Sequence, residues 1–161
     1  RIHKTVNVGN AVINGILDRA TEQIQQTNIE LLFDVWVPEK INIAAVDLYI
    51  ILGNTLDNAI EACVQTETRQ IQVVIAEDPA AQMLELKLQN SKNSSQKLHA
   101  NEAGIGYQTT KEDRGSHGDG TQIIQRIVDE NGGTIRYVDA GDTMQITCRL
   151  CMEDKKLLSE G

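Results

Sequence analysis

The sequence is poor in aromatic residues and proline, and it has no long apolar run. Aromatic side chains make up 3% of the 161 residues, so the 40% that are hydrophobic would have to build an aliphatic core. No stretch approaches the roughly 18 apolar residues of a membrane helix, and no charged-then-apolar leader opens the chain. We therefore expect one soluble domain of the cytoplasmic type.

Basic residues are also in deficit. The chain has 15 Lys and Arg against 23 Asp and Glu, which gives a formal net charge of -8. The basic residues do not cluster, whereas a nucleic-acid-binding face needs a concentrated basic stripe to neutralise phosphates. We therefore expect no nucleic-acid partner.

Cysteine is rare and odd in number. Cys63 lies within a helical pattern, while Cys148 and Cys151 form a single C-x-x-C segment. A zinc site would need a second ligand pair, and a redox site would place the motif at the start of a helix. Both stay open as minor alternatives, and the pattern favours reduced cysteines that lie partly buried in a strand.

Hydrophobic periodicity predicts helices and strands along most of the chain. The predicted helices cover 10–27, 43–64 and 118–131, and the predicted strands cover 29–37, 70–76, 83–88, 134–138 and 143–150. A long polar segment from Asn90 to about His117 has no periodicity, and loops of that length are usually functional lids. This order predicts an α/β two-layer sandwich, in which helices lie on one face of a mixed, mostly antiparallel sheet.

The helix predicted at 43–64 carries a polar face. Asn54, Asp57, Asn58 and Glu61 recur at spacings of three and four residues, so they share one side of an otherwise apolar helix. Their amide and carboxylate oxygens suit Mg²⁺ when nucleotide phosphates complete its shell. A solvated stripe or an N-terminal capping cluster is the alternative, but Asn and Asp are unfavourable in mid-helix. The pattern favours a metal and nucleotide site.

A glycine-rich segment precedes the last predicted helix. It runs from Thr109 to Gly120 and contains Lys111. Glycines at a helix start let backbone N–H groups approach phosphates, and the helix dipole favours the anion. Lys111 adds a point charge for the phosphates. Taken alone, such a segment is weak evidence for nucleotide binding.

The segment Gly53-Asn54-Thr55-Leu56-Asp57-Asn58-Ala59 resembles the N-box of the GHKL superfamily, which comprises gyrase, Hsp90, histidine kinase and MutL. It is similar to the histidine-kinase form, in which an asparagine, here Asn54, stands where the ATP-hydrolysing members carry a glutamate base. The resemblance implies the Bergerat ATP-binding fold. It also implies that Asn58 holds Mg²⁺ with Asn54 nearby, and that no residue activates water.

The glycine-rich segment resembles the T-T-K…H-G-x-G-L signature of the peptide-pheromone-sensing, accessory-gene-regulator-type branch of histidine kinases. That resemblance implies that a lid wraps the triphosphate of ATP. The lid and glycine residues carried over are Thr110, Lys111, His117, Gly118 and Gly120. The chain departs from the branch at Asp119 and Thr121, where an apolar residue and Leu are usual. An acidic side chain beside the phosphates would weaken nucleotide binding by like-charge repulsion.

The adenine-binding motif of the superfamily, D-x-G-x-G, is missing. The strand predicted at 83–88 leads instead to Gln89-Asn90-Ser91. Asn90 is the candidate, because its side-chain carbonyl can accept a hydrogen bond from the adenine amino group. An asparagine that simply ends a strand in a turn stays open as an alternative.

The histidines do not match the phosphoacceptor of such kinases, which lies on a helix before an acidic residue. His3 precedes Lys4, and His99 lies in the polar segment. Residues 9–17 are similar to the G-N-x-x-x-D-x-I-L segment that follows the phosphoacceptor helix. We therefore expect that helix upstream of Arg1 in a longer protein. The implied organisation is a residual linker helix at 1–27, the GHKL domain at 28–152 and a charged tail at 153–161.

The resemblance implies a function. The chain would transfer the γ-phosphoryl group of Mg-ATP to a histidine on a separate helix, in cis or in a dimer partner. It would serve a response regulator, as the cytoplasmic domain of a membrane-anchored homodimer. Two alternatives remain: a GHKL serine kinase that acts on an anti-sigma antagonist, and a degenerate docking or dimerisation module. Asp119, Thr121 and the missing D-x-G-x-G favour the second alternative.

Overall fold

The computed structural model describes residues 2–6, 10–94, 99–100, 107–108 and 119–153. The strands are β1 (Ile2–Val6), β2 (Glu30–Trp36), β3 (Gln70–Asp78), β4 (Met83–Ser91), β5 (His99–Ala100), β6 (Tyr107–Gln108), β7 (Thr134–Asp139) and β8 (Thr143–Cys151). The helices are α1 (Ala11–Gln23), α2 (Ala45–Cys63) and α3 (Asp119–Glu130).

Six of the described strands form one sheet, in the order β1-β2-β3-β4-β8-β7. The pairs β1–β2 and β2–β3 are parallel, while β3–β4, β4–β8 and β8–β7 are antiparallel. β5 and β6 pair separately, within the segment predicted to be a lid. The prediction of a mixed, mostly antiparallel sheet is confirmed, although the sequence did not predict β1.

Side chains alternate between the two faces of the sheet. On β4, Leu84, Leu86 and Leu88 are buried, while Lys87 between them is exposed. The helices cover the buried face, since α2 contacts β3 and β4, α3 contacts β7 and β8, and α1 packs on α2. The core is aliphatic apart from Phe33 and the thiols of Cys63 and Cys148. The predicted two-layer sandwich, with helices on one face, is confirmed.

Helix α1 is shorter than its predicted span of 10–27. Asn10 caps its start, since the side-chain oxygen accepts from the Ile13 N–H at 3.1 Å. The helix ends at Gln23 because the chain turns after it, with Gln26 and Asn28 at φ angles of 71° and 59°. Such left-handed residues cannot continue a right-handed helix. Asn28 therefore ends the turn rather than the helix.

Arg69 joins the ends of the first two helices to the sheet. Its guanidinium donates to the carbonyl oxygens of Thr27 at 2.5 Å, Val64 at 2.6 Å and Thr66 at 2.9 Å. Carbonyls at helix ends and turns lack helical partners and need such donors. Arg69 thereby holds the C-terminal end of α2 beside the start of β3.

The turn after α3 requires glycine. Gly132 has a φ of 61°, the left-handed conformation in which helices commonly end. A Cβ on Gly133 would lie 1.9 Å from the carbonyl oxygen of Arg149, so no other residue fits there without moving β8. The two glycines bring β7 into register with β8.

The cysteines are free thiols. Cys148 and Cys151 lie three residues apart on β8, so their side chains point to opposite faces of the sheet. Cys148 and Cys63 are buried and Cys151 is partly exposed, and that these cysteines stay reduced remains a prediction. Within the described ranges no three His, Cys, Asp or Glu side chains form a group suited to a metal ion. None of the described helices is both long and apolar enough to cross a bilayer.

Candidate functional site

The amide face of α2 is half-buried. Asn54 and Asn58 are neither exposed nor fully covered, and one turn separates them, which places their Cβ atoms about 5–6 Å apart. The Asn54 Nδ2 donates to the carbonyl oxygen of Ile50 at 2.7 Å. With Nδ2 engaged on the helix backbone, Oδ1 is the atom of Asn54 that can accept a hydrogen bond or bind a cation.

The remainder of α2 explains why this face is special. Leu48, Ile51, Leu52, Leu56 and Ala59 are buried in the core. The hydroxyl of the buried Thr55 donates to the carbonyl oxygens of Ile51 and Leu52, at 2.8 and 3.1 Å, and is satisfied within the helix. The two asparagines are therefore half-buried amides on a helix whose core-facing side is apolar or internally satisfied.

The asparagine oxygens suit Mg²⁺ only in part. Hard oxygen ligands at one side of a helix match the preference of Mg²⁺, which usually keeps several waters and takes few protein ligands. Neutral amides supply no charge to balance the cation. The donor set thus fits an ion that arrives with nucleotide phosphates, and Asn58 with Asn54 would contact it.

Asp57 and Glu61, the carboxylates of the predicted polar face, are exposed. The Asp57 Oδ1 accepts a hydrogen bond from Gln23 Nε2 of α1 at 3.2 Å. Asp57 thus lies on the side of α2 that faces α1, and it links the two helices. Its predicted part in cofactor binding stays a prediction.

Asn90 is buried at the end of β4. It is 3% exposed and lies on the same inward face as Leu84, Leu86 and Leu88. Its register partners are Ile71 on β3 and Met144 on β8. The Nδ2 donates to the Ser91 carbonyl oxygen at 3.0 Å. Asn90 is therefore the polar end of an apolar row that faces the helices.

The end of α2 reaches the same end of the sheet. The Cys63 Sγ donates to the Gln70 carbonyl oxygen at 3.8 Å. The Ser91 hydroxyl in turn accepts from the Gln70 N–H at 3.1 Å and contacts the Gln70 carbonyl oxygen at 3.3 Å. Burial raises the pKa of the Cys63 thiol, although the backbone hydrogen bond with Gln70 lowers it in part. Since Asn58 lies about 7–8 Å before Cys63 along the helix, the amide face and Asn90 share one region of the molecule.

Gly120 is the second residue of α3. Among the described residues, and apart from the helix's own backbone and the two chain neighbours, no atom lies within 4 Å of the position that its Cβ would occupy. Helix starts present unpaired N–H groups to anions. The other predicted phosphate-binding residues lie outside the described residues, namely Thr110, Lys111, His117 and Gly118.

Lys92 and its partners were missed by the sequence analysis. The Lys92 side chain is 2% exposed, and its Nζ lies 3.1 Å from Asp139 Oδ1. The Lys92 N–H donates to the Asp142 carbonyl oxygen at 2.9 Å. The sequence signal for Lys92 was the spacing of the inward-facing positions 84, 86, 88, 90 and 92. This spacing continues beyond residue 88, where the strand was predicted to end.

A separate cleft of about 290 Å³ lies at the other end of the sheet. Its lining is Pro38, Lys40, Ile41, Asn42, Glu77, Gln82 and Met152. Gln82 and Glu77 flank the β3–β4 turn, whereas Asn90 lies at the far end of β4. The cleft is open, and few of its side chains could act in catalysis or bind a metal ion. The α2 region is therefore the better candidate for the functional site.

The fold is a two-layer α/β sandwich in which α2, with its two asparagines, covers the central strands of the sheet. Residues 43–148 match the GHKL domain family. The match spans well over half of the chain, and the chain belongs to the GHKL family. None of the curated protein sequences matches the chain significantly.

Solved structures of histidine kinases share this fold. The catalytic domain of the histidine kinase ThkA has a TM-score of 0.67 at 19% identity, with 88% of this chain and 90% of that chain covered. AdeS of Acinetobacter baumannii gives 0.63 at 17% identity, and this chain spans 64% of it. The mycobacterial sensor histidine kinase MprB gives 0.60 at 16% identity, with 86% and 94% covered. At these identities the likeness concerns the fold.

Proposed function

We propose that this GHKL domain is the ATP-binding catalytic module of a two-component sensor histidine kinase. It transfers the γ-phosphoryl group of Mg-ATP to a histidine on a separate helix. Its membership of the GHKL family and its likeness in fold to ThkA, AdeS and MprB support this proposal. We further propose that it belongs to the peptide-pheromone-sensing branch.

The observation that carries the proposal is the nature of the α2 face. Asn54 offers an amide in mid-helix, and the neighbouring carboxylate of Asp57 is exposed and hydrogen-bonded to Gln23. An amide cannot take a proton from water, whereas a carboxylate base could. A face with ligand oxygens but no inward base suits transfer of a phosphoryl group to another side chain rather than hydrolysis.

The residues divide the work of a transfer whose transition state is loose. Catalysis then consists mainly of positioning and of charge neutralisation. Asn58 and Asn54 would hold Mg²⁺, and the ion would offset the negative charge of the phosphates when bound. Lys111 and the Gly118 and Gly120 amides would steady the phosphates. Thr110 and His117 would complete the lid over ATP.

The acceptor histidine is proposed to lie on a helix outside this chain, in the same protein or in a dimer partner. His3 lies in β1 and His99 in β5, so neither is on a helix. A response regulator would receive the phosphoryl group next. We propose that the whole protein is a membrane-anchored homodimer with this domain on the cytoplasmic side.

Isothermal titration calorimetry tests the nucleotide site. We expect the chain to bind Mg-ATP, and we expect Asn58→Ala to weaken binding at least about tenfold, a loss of about 1.4 kcal/mol. Asn42→Ala is the matched control, since Asn42 is an exposed asparagine in the opposite cleft, bonded to the Met152 carbonyl oxygen at 3.3 Å. Absence of binding to the unchanged chain at millimolar ATP would overturn the proposal.

The chemistry of the product separates histidine from serine phosphorylation. The full-length protein is incubated with ATP labelled in the γ-phosphoryl group, and the labelled protein is treated with acid. We expect the label to be lost in acid and kept in alkali, because a phosphorus–nitrogen bond is acid-labile. An acid-stable label would indicate a serine kinase instead.

A degenerate docking module is the second candidate, and the position of Asp119 favours it. Asp119 is the first residue of α3, where the helix dipole attracts a negative charge. An acidic residue at this position of the sequence, where the family usually has an apolar one, would weaken nucleotide binding by like-charge repulsion. If Asp119→Asn creates ATP binding that the unchanged chain lacks, the docking module is supported; if both bind equally, Asp119 does not obstruct the site.

A further inference from the structure

The peptide unit between Ser91 and Lys92 is held on both sides. Its carbonyl oxygen accepts from Asn90 Nδ2 at 3.0 Å, and its N–H donates to the Asp142 carbonyl oxygen at 2.9 Å. The Ser91 hydroxyl also hydrogen-bonds to the backbone of Gln70 on β3. The orientation of the peptide that accepts from Asn90 Nδ2 is therefore fixed by contacts with β3 on one side and with the β7–β8 turn on the other.

The Lys92 side chain strengthens the link to the β7–β8 turn. A lysine that is 2% exposed is rare unless it is paired, and Lys92 Nζ lies 3.1 Å from Asp139 Oδ1. The same Oδ1 accepts from the Gly141 N–H at 2.9 Å. Asp139 thus stabilises the β7–β8 turn and also pairs with Lys92. The turn therefore contacts Lys92 at two points, through the Asp139 carboxylate and through the Asp142 carbonyl oxygen.

This arrangement decides which way the Asn90 amide faces. The Nδ2 donates to the Ser91 carbonyl oxygen. A flipped amide would bring Oδ1 to about the same 3.0 Å from that oxygen, and two acceptors would repel each other. Because the peptide cannot rotate away, Oδ1 is the Asn90 atom that remains for a ligand. Asn90 acts as an acceptor.

An acceptor at this point distinguishes between purines. The 6-amino group of adenine donates a hydrogen bond, whereas the 6-oxo group of guanine accepts one. A free asparagine amide would serve either base by flipping, which a carboxylate cannot do. Asn90 is 3% exposed, so water is not at hand to satisfy a mismatched pair, and such mismatches are costly.

We propose that Lys92 is a positioning residue for base selection: with Asp139 it locks the Ser91–Lys92 peptide so that Asn90 presents Oδ1 and the site takes a 6-aminopurine nucleotide rather than a 6-oxopurine one. The inference rests on the proposed nucleotide-binding function. The added claim is that the ion pair between the buried Lys92 and Asp139 of the neighbouring hairpin lets an asparagine select adenine as strictly as a carboxylate would.

The test compares the dissociation constants for ATP and GTP, measured by calorimetry on the whole chain. We expect the unchanged chain to prefer ATP, and we expect Lys92→Met to lower the GTP-to-ATP ratio of dissociation constants about tenfold. Lys92→Arg restores the pair with Asp139 and should keep the ratio within about twofold. Lys87→Met is the matched control, since Lys87 lies on β4 shortly before Lys92 and has an exposed side chain.

A second background isolates the amide. In Asn90→Asp the side chain is an acceptor whichever way it turns, so adding Lys92→Met should leave the base preference unchanged. If Lys92→Met lowers the ratio equally in both backgrounds, the lysine does not act through the Asn90 amide. That result would overturn the proposal.

Asp139→Asn provides a second route if Lys92→Met does not fold. It removes the charge from the pair and should also lower the ratio, by about threefold. Equal weakening of ATP and GTP in these variants would indicate a purely structural lysine and would also contradict the proposal. Binding of neither nucleotide to the unchanged chain would instead contradict the proposed function.

Discussion

Two lysines, Lys87 on the outward face of β4 and Lys92 just beyond its end on the inward side, form ion pairs at nearly the same distance. On the outward face, Lys87 Nζ lies 3.3 Å from Glu85, and the side chains are 56% and 30% exposed. On the inward side, just beyond the strand, Lys92 lies 3.1 Å from Asp139, with exposures of 2% and 27%. The distances differ by little, while access to water differs greatly.

The difference shows that access to water, rather than distance, determines what an ion pair contributes. Exposed pairs contribute about 0–1 kcal/mol because water and salt screen them. A buried charge loses its hydration, so removal of its partner is costly and its geometry is restricted. The outward pair can be replaced with little effect, whereas the inward pair ties β4 to the β7–β8 hairpin beside Asn90.

The comparison extends to the whole sheet. Outward residues form a solvated network, in which Arg149 contacts Asp78 at 3.1 Å and Glu85 at 3.7 Å. The inward residues of β4 are leucines as far as Leu88. Asn90 follows at the end of the strand, and Lys92 lies just beyond it. The candidate site therefore begins where the inward face stops being apolar. The side chains there are held by a hydrogen bond and an ion pair in addition to packing.

The largest effect is expected from the apolar part of the inward face. Leu84 is 0% exposed, so Leu84→Ala should lower the free energy of unfolding by about 3–4 kcal/mol through lost burial and a residual cavity. Lys87→Ala on the outward face should change it by no more than about 0.5 kcal/mol. Urea unfolding followed by circular dichroism measures both. Similar losses for the two variants would break the contrast between the faces.

The stability of the chain at alkaline pH tests the burial of the inward face without any substitution. Burial raises the pKa of the Cys148 thiol from its ordinary 9.0 to about 12. Burial likewise raises the pKa of Tyr137, with a smaller contribution from nearby Cys148. Above pH 9 the unfolded chain loses the thiol proton while the folded chain keeps it. The Cys148 thiol alone should therefore lower the free energy of unfolding by about 1.4 kcal/mol per pH unit between pH 9 and 12, and Tyr137 should add to the loss above about pH 10.

Two variants assign this alkaline loss. Cys148→Val removes the buried thiol and should reduce the slope of stability against pH above 9, as measured by urea unfolding at several pH values. Cys151→Ser alters a partly exposed cysteine on the other face and should leave the slope unchanged. An equal reduction by both variants would show that the buried thiol is not the source.

The fold was largely predictable because its local signals agree with its tertiary structure. Alternation and turn residues located β2, β3, β4, β7 and β8 to within about three residues at either end, within the usual uncertainty of such boundaries, whereas the two-residue strands β5 and β6 were not predicted. Strand β1 was missed, because His3, Lys4 and Thr5 carry no apolar pattern of their own. It forms by parallel pairing with β2, a contact that local sequence does not encode.

The site was predictable where residues break a local preference. Asn54 and Asn58 attract attention because amides are unfavourable in mid-helix. Lys92 breaks no local rule, since a lysine after a strand is expected in water. Its burial depends on Asp139, which the chain brings near only when β7 pairs with β8. The proposed role of Lys92 therefore depends on a long-range contact with this hairpin, which the local sequence does not encode.

The smallest effect is expected from the outward network, and it sharpens the comparison from the other side. Arg149 bridges two carboxylates but is 36% exposed. Arg149→Gln should lower the free energy of unfolding by less than about 1 kcal/mol, and the difference from the unchanged chain should shrink in 1 M NaCl because salt screens exposed charges. Lys92→Arg, which keeps the buried pair, is the control and should show little salt dependence. A salt-insensitive loss of several kcal/mol at Arg149 would mean that the outward ion pairs are shielded from water, and burial would then no longer distinguish the two faces.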